Sequence, residues 1–397
     1  MKRRLFIKQA SALVATSMVY PSFSEEKTTS RSTRNNRINI GVIGTGSRGT
    51  GLTSIINTID ELSVIALCDN LSFRLKTGIS KAEPNSTGYS DYRELLQNKN
   101  VDAVIIATPF NTHAKIALDA LDAGKHIYCE KTLAKGYSEI ISVVSKAQES
   151  KKIFQTGHQY HSSRLYKHVV DLINQGQLGK ITAFDCQWNR HGNWRRPVLE
   201  PKFEKAVNWR MYREFSGGLT AELCSHQIDF VNWVLKATPE QVIGVGGIDY
   251  WKDGRETYDN VHLIYSYPNG VKAKFTSLTS NAKDGYQIKV IGDKGTIIID
   301  KANAWFHPEG YSNKVIGDVD GVTGATESWE SKKGYPLDIQ HLDPTRQALL
   351  DFKDAILINK NPESNVITGA RAALCVQMGL DAMDNNIPVS WQSDWGV

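Results

Sequence analysis

The stretch INIGVIGTGSRGTGL, Ile38 to Leu52, constrains the fold more than any other part of the chain. A β-branched apolar run meets three glycines, Gly44, Gly46 and Gly49, and a helix-compatible run follows through Ile56. Near-continuous apolar runs of this kind are what buried parallel strands look like. A second such run, SVIALCD, ends at Asp69, 25 positions after Gly44. That is close to the roughly 20 positions at which an acid meets the ribose hydroxyls of a bound dinucleotide. In this reading Gly44 permits the tight turn, Gly46 admits a pyrophosphate to the backbone, and Gly49 lets helix and strand pack closely. The free N–H groups of the helix start then face the phosphates. Thr45, Ser47 and Arg48 lie within the turn and Asn70 follows the acid, so all four join the expected cofactor site. Asp69 favours NAD, because a 2′-phosphate would face its carboxylate. Arg74, five residues on, keeps NADP possible. A tight bend with no ligand is the alternative.

The chain begins with a contrasting segment. Arg3-Arg4 precedes LFIK, then the short apolar run ASALVATSMVY and the small-residue stretch PSFS. A basic start, an apolar segment and small residues describe an export signal over 1–24. RRLFIK resembles a twin-arginine signal, which implies a periplasmic protein exported already folded. Cytoplasmic residence, with the segment as a basic tail, is the alternative. Residues 25–37, EEKTTSRSTRNNR, lack apolar periodicity and read as a flexible arm, one that could fold over the cofactor and slow its release. Of the net charge of +5, four units come from Lys2, Arg3, Arg4 and Lys8. The body is therefore nearly neutral and offers no electrostatic case for nucleic acid. No apolar run reaches the roughly 20 residues of a membrane span. Five scattered cysteines without a CxxC pair speak against a disulfide framework or a zinc site.

The alternation continues. A strand from Asp102 to Ala107 stops at Thr108-Pro109, a helix runs from about His113 to Ala123, and the strand HIYCEK follows. Three further motifs stand in order: ATPFNTH at 107–113, CEKT at 129–132 and GGLTAELCSHQID at 217–229. With the early glycine turn, these resemble the Gfo/Idh/MocA family, named for glucose–fructose oxidoreductase, inositol dehydrogenase and a rhizopine-catabolism protein. The resemblance spans roughly 38–390. It implies a Rossmann dinucleotide-binding domain followed by an α+β domain with a large, mostly antiparallel open sheet. It adds Thr108, Pro109, Asn111, His113, Glu130 and Lys131 to the cofactor site. Two positions depart from the family's usual pattern: Thr132 stands where a proline is common, and Glu222 where aspartate is.

Oxidising a secondary alcohol sends a proton to a base and a hydride to a nicotinamide. Histidine suits the base, because its pKa lies near working pH. Glu222 and His226 are four apart and share a face if the segment is helical. The carboxylate then either orients the imidazole or stands beside it facing the substrate. The resemblance makes His226 the base and Lys131 a donor to the reacting oxygen, and either could relay the proton. Tyr128 and Lys131 have the wrong spacing for a Tyr-x-x-x-Lys dehydrogenase. His158 and Gln159, in GHQYHSS, are candidates to touch sugar hydroxyls. No metal is expected there, since no carboxylate accompanies the histidines. The run Trp188 to Phe215 interleaves tryptophans with arginines. Indoles pack on sugar rings and guanidinium forks hold hydroxyls or carboxylates, so Trp194, Arg195 and Trp209 are candidate substrate contacts. A subunit contact is the rival reading.

The expected domains are 38–157 (Rossmann), 158–370 (α+β, for substrate and oligomerisation) and 371–397 (a C-terminal helix and tail). Residues 317–334 read as a loop. An open sheet with one bare face must be covered, and the family covers it by pairing subunits, so a homodimer or homotetramer is expected. Three functions are consistent with these residues. The first is NAD(P)-dependent oxidation or reduction of a secondary hydroxyl on a sugar, sugar derivative or cyclitol, with tightly held cofactor. The second is a redox-assisted glycoside hydrolase working by oxidation and elimination. The third is a non-catalytic nucleotide- or sugar-binding protein, against which the presence of Lys131, Glu222 and His226 argues.

Overall fold

A computed structural model describes residues 37–309, 334–340 and 342–397. The expected export signal over 1–24, the expected arm up to residue 36 and the expected loop over 317–333 lie outside the described residues. Six strands form a parallel sheet: β1 (Ile38–Ile43), β2 (Leu62–Cys68), β3 (Thr87–Tyr89), β4 (Ala103–Ile106), β5 (His126–Cys129) and β6 (Phe154–Thr156). Their order is β3-β2-β1-β4-β5-β6. It reverses at β1, and the crevice at such a switch point is where dinucleotides bind. The crossover helices are α1 (Ser47–Ile56), α2 (Ser72–Ile79), α3 (Tyr92–Gln97), α4 (Phe110–Asp122) and α5 (Tyr137–Glu149), and α6 (Arg164–Asn174) follows the sheet.

Two boundaries differ from expectation. Asp102 lies just before β4, where its carboxylate accepts the Asn39 amide at 2.8 Å. Helix α4 starts at Phe110, ahead of His113, because Pro109 at the N-cap has a φ of −61°, already set for a helix entry.

The second sheet has nine strands in the order β14-β13-β12-β11-β7-β10-β9-β8-β15. They are β7 (Ile181–Trp188), β8 (Gln241–Gly247), β9 (Asn260–Ser266), β10 (Lys272–Leu278), β11 (Tyr286–Gly292), β12 (Gly295–Asp300), β13 (Asn303–Pro308), β14 (Tyr335–Pro336) and β15 (Val389–Ser390). Among the described residues of this sheet only β7 and β10 pair in parallel. Residues alternate along these strands. One face packs Leu263, Phe275, Ile288 and Val290 into a core with Ile228 and Phe230 of helix α7 (Ser225–Leu235). The other face is open, and there the cross-strand pair Ile243 and Ile264 is 46% and 40% exposed.

Sequence order misplaces one helix. Residues 344–358 were assigned to the second domain, yet α8 (Pro344–Ile358) buries Ala348, Leu349 and Phe352 against Ile40, Val42 and Tyr128 of the first sheet. Gln155 Nε2 also donates to the Ala348 carbonyl at 2.7 Å. The parallel sheet needs cover on both faces, and the chain returns to supply it. The last helix, α9 (Val366–Asn385), begins before 371 and contributes to both cores. All five cysteines are buried and free. Among the described residues no His/Cys/Asp/Glu group could hold a metal ion, and no helix is long and apolar enough to cross a membrane.

Candidate active site

The glycine turn has the geometry its spacing predicts. Gly44 has φ +92°, and a Cβ there would sit 2.6 Å from the Ala107 carbonyl oxygen. A Cβ on Gly49 would fall 1.9 Å from the Gly44 carbonyl oxygen, so helix α1 touches the strand backbone and only glycine fits. Gly46 differs: the nearest atom to a Cβ built there is Arg74 Nη1 at 3.9 Å, which leaves its backbone accessible. Asp69 fastens the turn from below. Its Oδ2 accepts the Thr45 amide at 2.9 Å and its Oδ1 the Leu71 amide at 2.9 Å. A carboxylate has about four acceptor sites, so capacity for a ribose hydroxyl remains. Asn70 is exposed beside it.

A cavity of about 430 Å³ opens from this turn towards the second sheet, lined by residues of both domains. Lys131 follows β5 and reaches the π-helical turn Thr220–Cys224 that leads into α7. Its Nζ donates to the Glu222 carbonyl at 2.6 Å and to the Ala221 carbonyl at 3.3 Å. Burial lowers the Lys131 pKa below the ordinary lysine value, and the nearby Glu222 and Glu130 carboxylates oppose that shift. The Lys131–Thr132 peptide is cis with threonine in place of the usual proline. Thr132 Oγ1 donates to the Ala221 carbonyl at 3.2 Å.

Of the two arrangements left open for Glu222 and His226, the structure has them side by side. Glu222 Oε1 stands 2.8 Å from Arg210 Nε and Oε2 3.9 Å from Lys131 Nζ, and no hydrogen bond joins it to His226. His226 lies in an aromatic box, with Tyr160 at 5.1 Å, Trp188 at 5.7 Å and His158 at 5.9 Å between ring centroids. Its Nδ1 has no partner. Burial, then the Lys131 charge, pushes its pKa well below the ordinary histidine value. His226 is therefore a neutral imidazole at pH 7.

Other expected residues divide. Gln159, Trp194, Trp209, Thr108, His113, Glu130 and Arg48 line the cavity. Arg48 Nε pairs with Glu130 Oε1 at 2.6 Å, so it holds that carboxylate in place. His113 lies between the Thr132 and Thr108 carbonyls, each 2.9 Å from a ring nitrogen, and its single N–H when neutral donates to one of them. Pro109 caps α4, and Asn111 points to solvent from its first turn. Two substrate candidates are corrected. His158 is fully buried behind His226, with neither ring nitrogen partnered, rather than on the cavity wall. Arg195 turns away from the cavity: it pairs with Glu204 and donates to the Asp253 carbonyl at 2.9 Å, holding its own loop. Its neighbour Arg196 faces the cavity instead, with Arg190 and Arg210. Alternation along an irregular loop is not readable from sequence, so the choice among these arginines was hidden. Tyr160 was missed as well, within GHQYHSS.

The residues present fit a dinucleotide. An accessible Gly46 backbone, the α1 N-terminus, an acid with spare acceptor capacity, and cations at the turn match what a pyrophosphate and ribose require. Beyond them, a neutral imidazole and an amine converge on one cavity. Such a pair can take a hydroxyl proton and polarise the oxygen as it becomes a carbonyl.

Comparison with known proteins agrees with this geometry. Residues 38–158 match the model of an oxidoreductase family with an NAD-binding Rossmann fold, and residues 166–298 match the GFO/IDH/MocA C-terminal domain. Myo-inositol 2-dehydrogenase of Thermotoga maritima is 26% identical over 272 residues, covering 66% of this chain and 75% of that protein. A glycosyl hydrolase family 109 protein of Shewanella pealeana is 25% identical over 183 residues, 44% of this chain and 40% of that protein. The crystal structure of aldose-aldose oxidoreductase from Caulobacter crescentus superposes with a TM-score of 0.72 at 18% identity, covering 89% of this chain and all of that one.

Proposed function

The chain belongs to the Gfo/Idh/MocA family of oxidoreductases, and on that premise we propose that it oxidises a secondary hydroxyl of a sugar, sugar derivative or cyclitol and, in reverse, reduces the corresponding carbonyl. The observation that carries this reading is the convergence of Lys131 and His226 on a cavity continuous with the glycine turn. Bound NAD would supply the hydride acceptor. Neutral His226 takes the hydroxyl proton, and Lys131, held by the Ala221 and Glu222 carbonyls, donates to the oxygen as its charge changes. Glu222 and Arg210 fix the height of the ammonium. Trp188, Trp194 and Trp209 offer faces for a pyranose ring. In the return direction each proton movement reverses.

The twin-arginine-like start adds a proposal about location. A periplasmic enzyme has no soluble nicotinamide pool, so its cofactor would travel in with the folded chain and be regenerated in place. A second carbonyl compound would accept the hydride and proton there. The open sheet face bearing Ile243 and Ile264 is proposed as the contact for two or four copies.

The relative named as a glycosyl hydrolase family 109 protein favours a second reading. Here transient oxidation acidifies the neighbouring C–H, elimination releases the aglycone, and water and hydride are then added back, with no net redox change. Native mass spectrometry for bound nicotinamide, joined to a panel of sugars and glycosides, separates the readings. Net oxidation raises absorbance at 340 nm, whereas the second reading releases a sugar without it. A protein that neither holds nor binds a dinucleotide would sink both.

A further inference from the structure

We propose that Arg196, carried by the second domain, is a ligand of the dinucleotide's pyrophosphate, and that the segment around it clasps the cofactor against its glycine turn. The proposal rests on the NAD-binding reading of this site and adds residues that the glycine fingerprint does not contain.

The segment leaves β7 after Trp188 and returns to the core at Trp209. Between these points it crosses the cavity and touches the Rossmann domain twice. Arg196 Nη1 donates to Ser47 Oγ at 2.6 Å, at the first residue of α1. That is the helix end whose amides receive phosphate. Seven residues on, Phe203 packs edge-on against Phe73 with centroids 5.4 Å apart. Phe73 is the second residue of α2, the helix that follows Asp69 on the ribose side. One contact therefore closes over the pyrophosphate and the other over the adenosine half.

Arg196 is held in position from its own side. Its amide donates to Asn208 Oδ1 at 2.7 Å, and its carbonyl accepts from Asn208 Nδ2 at 3.0 Å. Arg195 anchors the same stretch through Glu204 and the Asp253 carbonyl. Arg255 Nη2 adds a bond to the Asn193 carbonyl at 2.8 Å. The loop thus presents Arg196 from a braced base.

Charge points the same way. Among the described residues neither Arg196 nor Arg74 forms an ion pair; burial, and behind it the Arg196 and Arg210 charges, disfavour the charged form of Arg74, with the Asp69 carboxylate opposing. The nearest carboxylate, Asp69, is engaged by the Thr45 and Leu71 amides. Two cations outside any ion pair, beside an accessible Gly46 backbone, suit a dianion. Arg196 lines the cavity and donates to Ser47 at the helix start, which assigns it to cofactor rather than substrate.

A clasped cofactor exchanges slowly. The test uses full-length protein loaded with NAD and follows its release into an excess of competing nucleotide. Arg196→Ala is expected to speed release at least tenfold, and Phe203→Ala to speed it less. Arg196→Gln keeps a donor to Ser47 without the charge and should release as fast as Arg196→Ala, which guards against a folding defect in the latter. Release at the wild-type rate from both Arg196 variants overturns the clasp and leaves the NAD reading standing. Failure of the wild-type chain to bind NAD overturns both.

Discussion

The Lys131 ammonium donates to the main-chain carbonyl of Glu222 at 2.6 Å while standing 3.9 Å from that residue's carboxylate. The wide π-turn at Thr220–Cys224 brings both acceptors within reach of one amine. Lys131→Met should lower kcat by about 10²–10⁴-fold, the usual worth of a positioned proton donor or acceptor, while NAD still binds. Glu222→Gln removes a carboxylate that supports the ammonium, so the Lys131 pKa should fall further. The alkaline limb of the kcat/KM profile would then move to lower pH. An unmoved limb would break the link between the two residues.

The pH profile itself should lack a bend at the ordinary histidine value of about 6.5. Burial and the Lys131 charge hold the His226 pKa well below that value, so the imidazole stays neutral and able to accept a proton into mildly acidic solution. At the other end, activity should fall as pH rises through the lowered Lys131 pKa, where the donor loses its proton. Steady-state kinetics between pH 5 and 10 would test both limbs.

Stability should fall with acid for a related reason. Burial depresses the pKa of His113, His158 and His226, and of His126 to about 4. Below about pH 6.5 the unfolded chain binds protons that the folded chain refuses, so unfolding gains as pH drops. Thermal melts should show Tm declining from pH 6.5 towards 4. Replacing His126 with Gln should flatten part of that decline.

Two glycines seven residues or fewer from Gly44 should behave oppositely when changed to alanine. A Cβ on Gly49 meets the Gly44 carbonyl at 1.9 Å, whereas a Cβ on Gly51 meets nothing within 4 Å. Gly49→Ala must push α1 off the strand, with loss of NAD binding. Gly51→Ala, in the same helix, should raise stability by about 0.5–1 kcal/mol through a lower helix cost. Calorimetry with NAD titration distinguishes them.

Helix α8 offers a test of domain membership. Phe352 is buried beside Tyr128, ring centroids 5.8 Å apart, under the first sheet. Phe352→Ala should cost about 3–5 kcal/mol and weaken NAD binding along with folding. An effect confined to the second sheet would contradict the packing.

Much of this was legible in the chain. Gly44, Gly46 and Gly49 could be placed because a tight turn, an approach to backbone and a helix–strand contact each exclude a side chain. The period-two runs in β9 to β12 showed a one-faced sheet. Glu222 and His226 could be paired because four residues are close to one helical turn. The partners of Glu222 were another matter. Arg210 and Lys131 lie 12 and 91 positions from it, and neither distance leaves a local trace.

The sequence by itself determined the Rossmann half, the antiparallel half and the chemical identity of the amine and imidazole, because each is written in short-range spacing of apolar, glycine and polar residues. Only the tertiary structure decided that His158 is buried, that Arg195 braces its own loop while Arg196 reaches Ser47, and that α8 returns to cover the first sheet. Those outcomes depend on which surfaces fold against each other, across 58 residues for Arg195 and the Asp253 carbonyl and 149 for Ser47 and Arg196. Burial and charge settle such contacts only when the whole chain is in place.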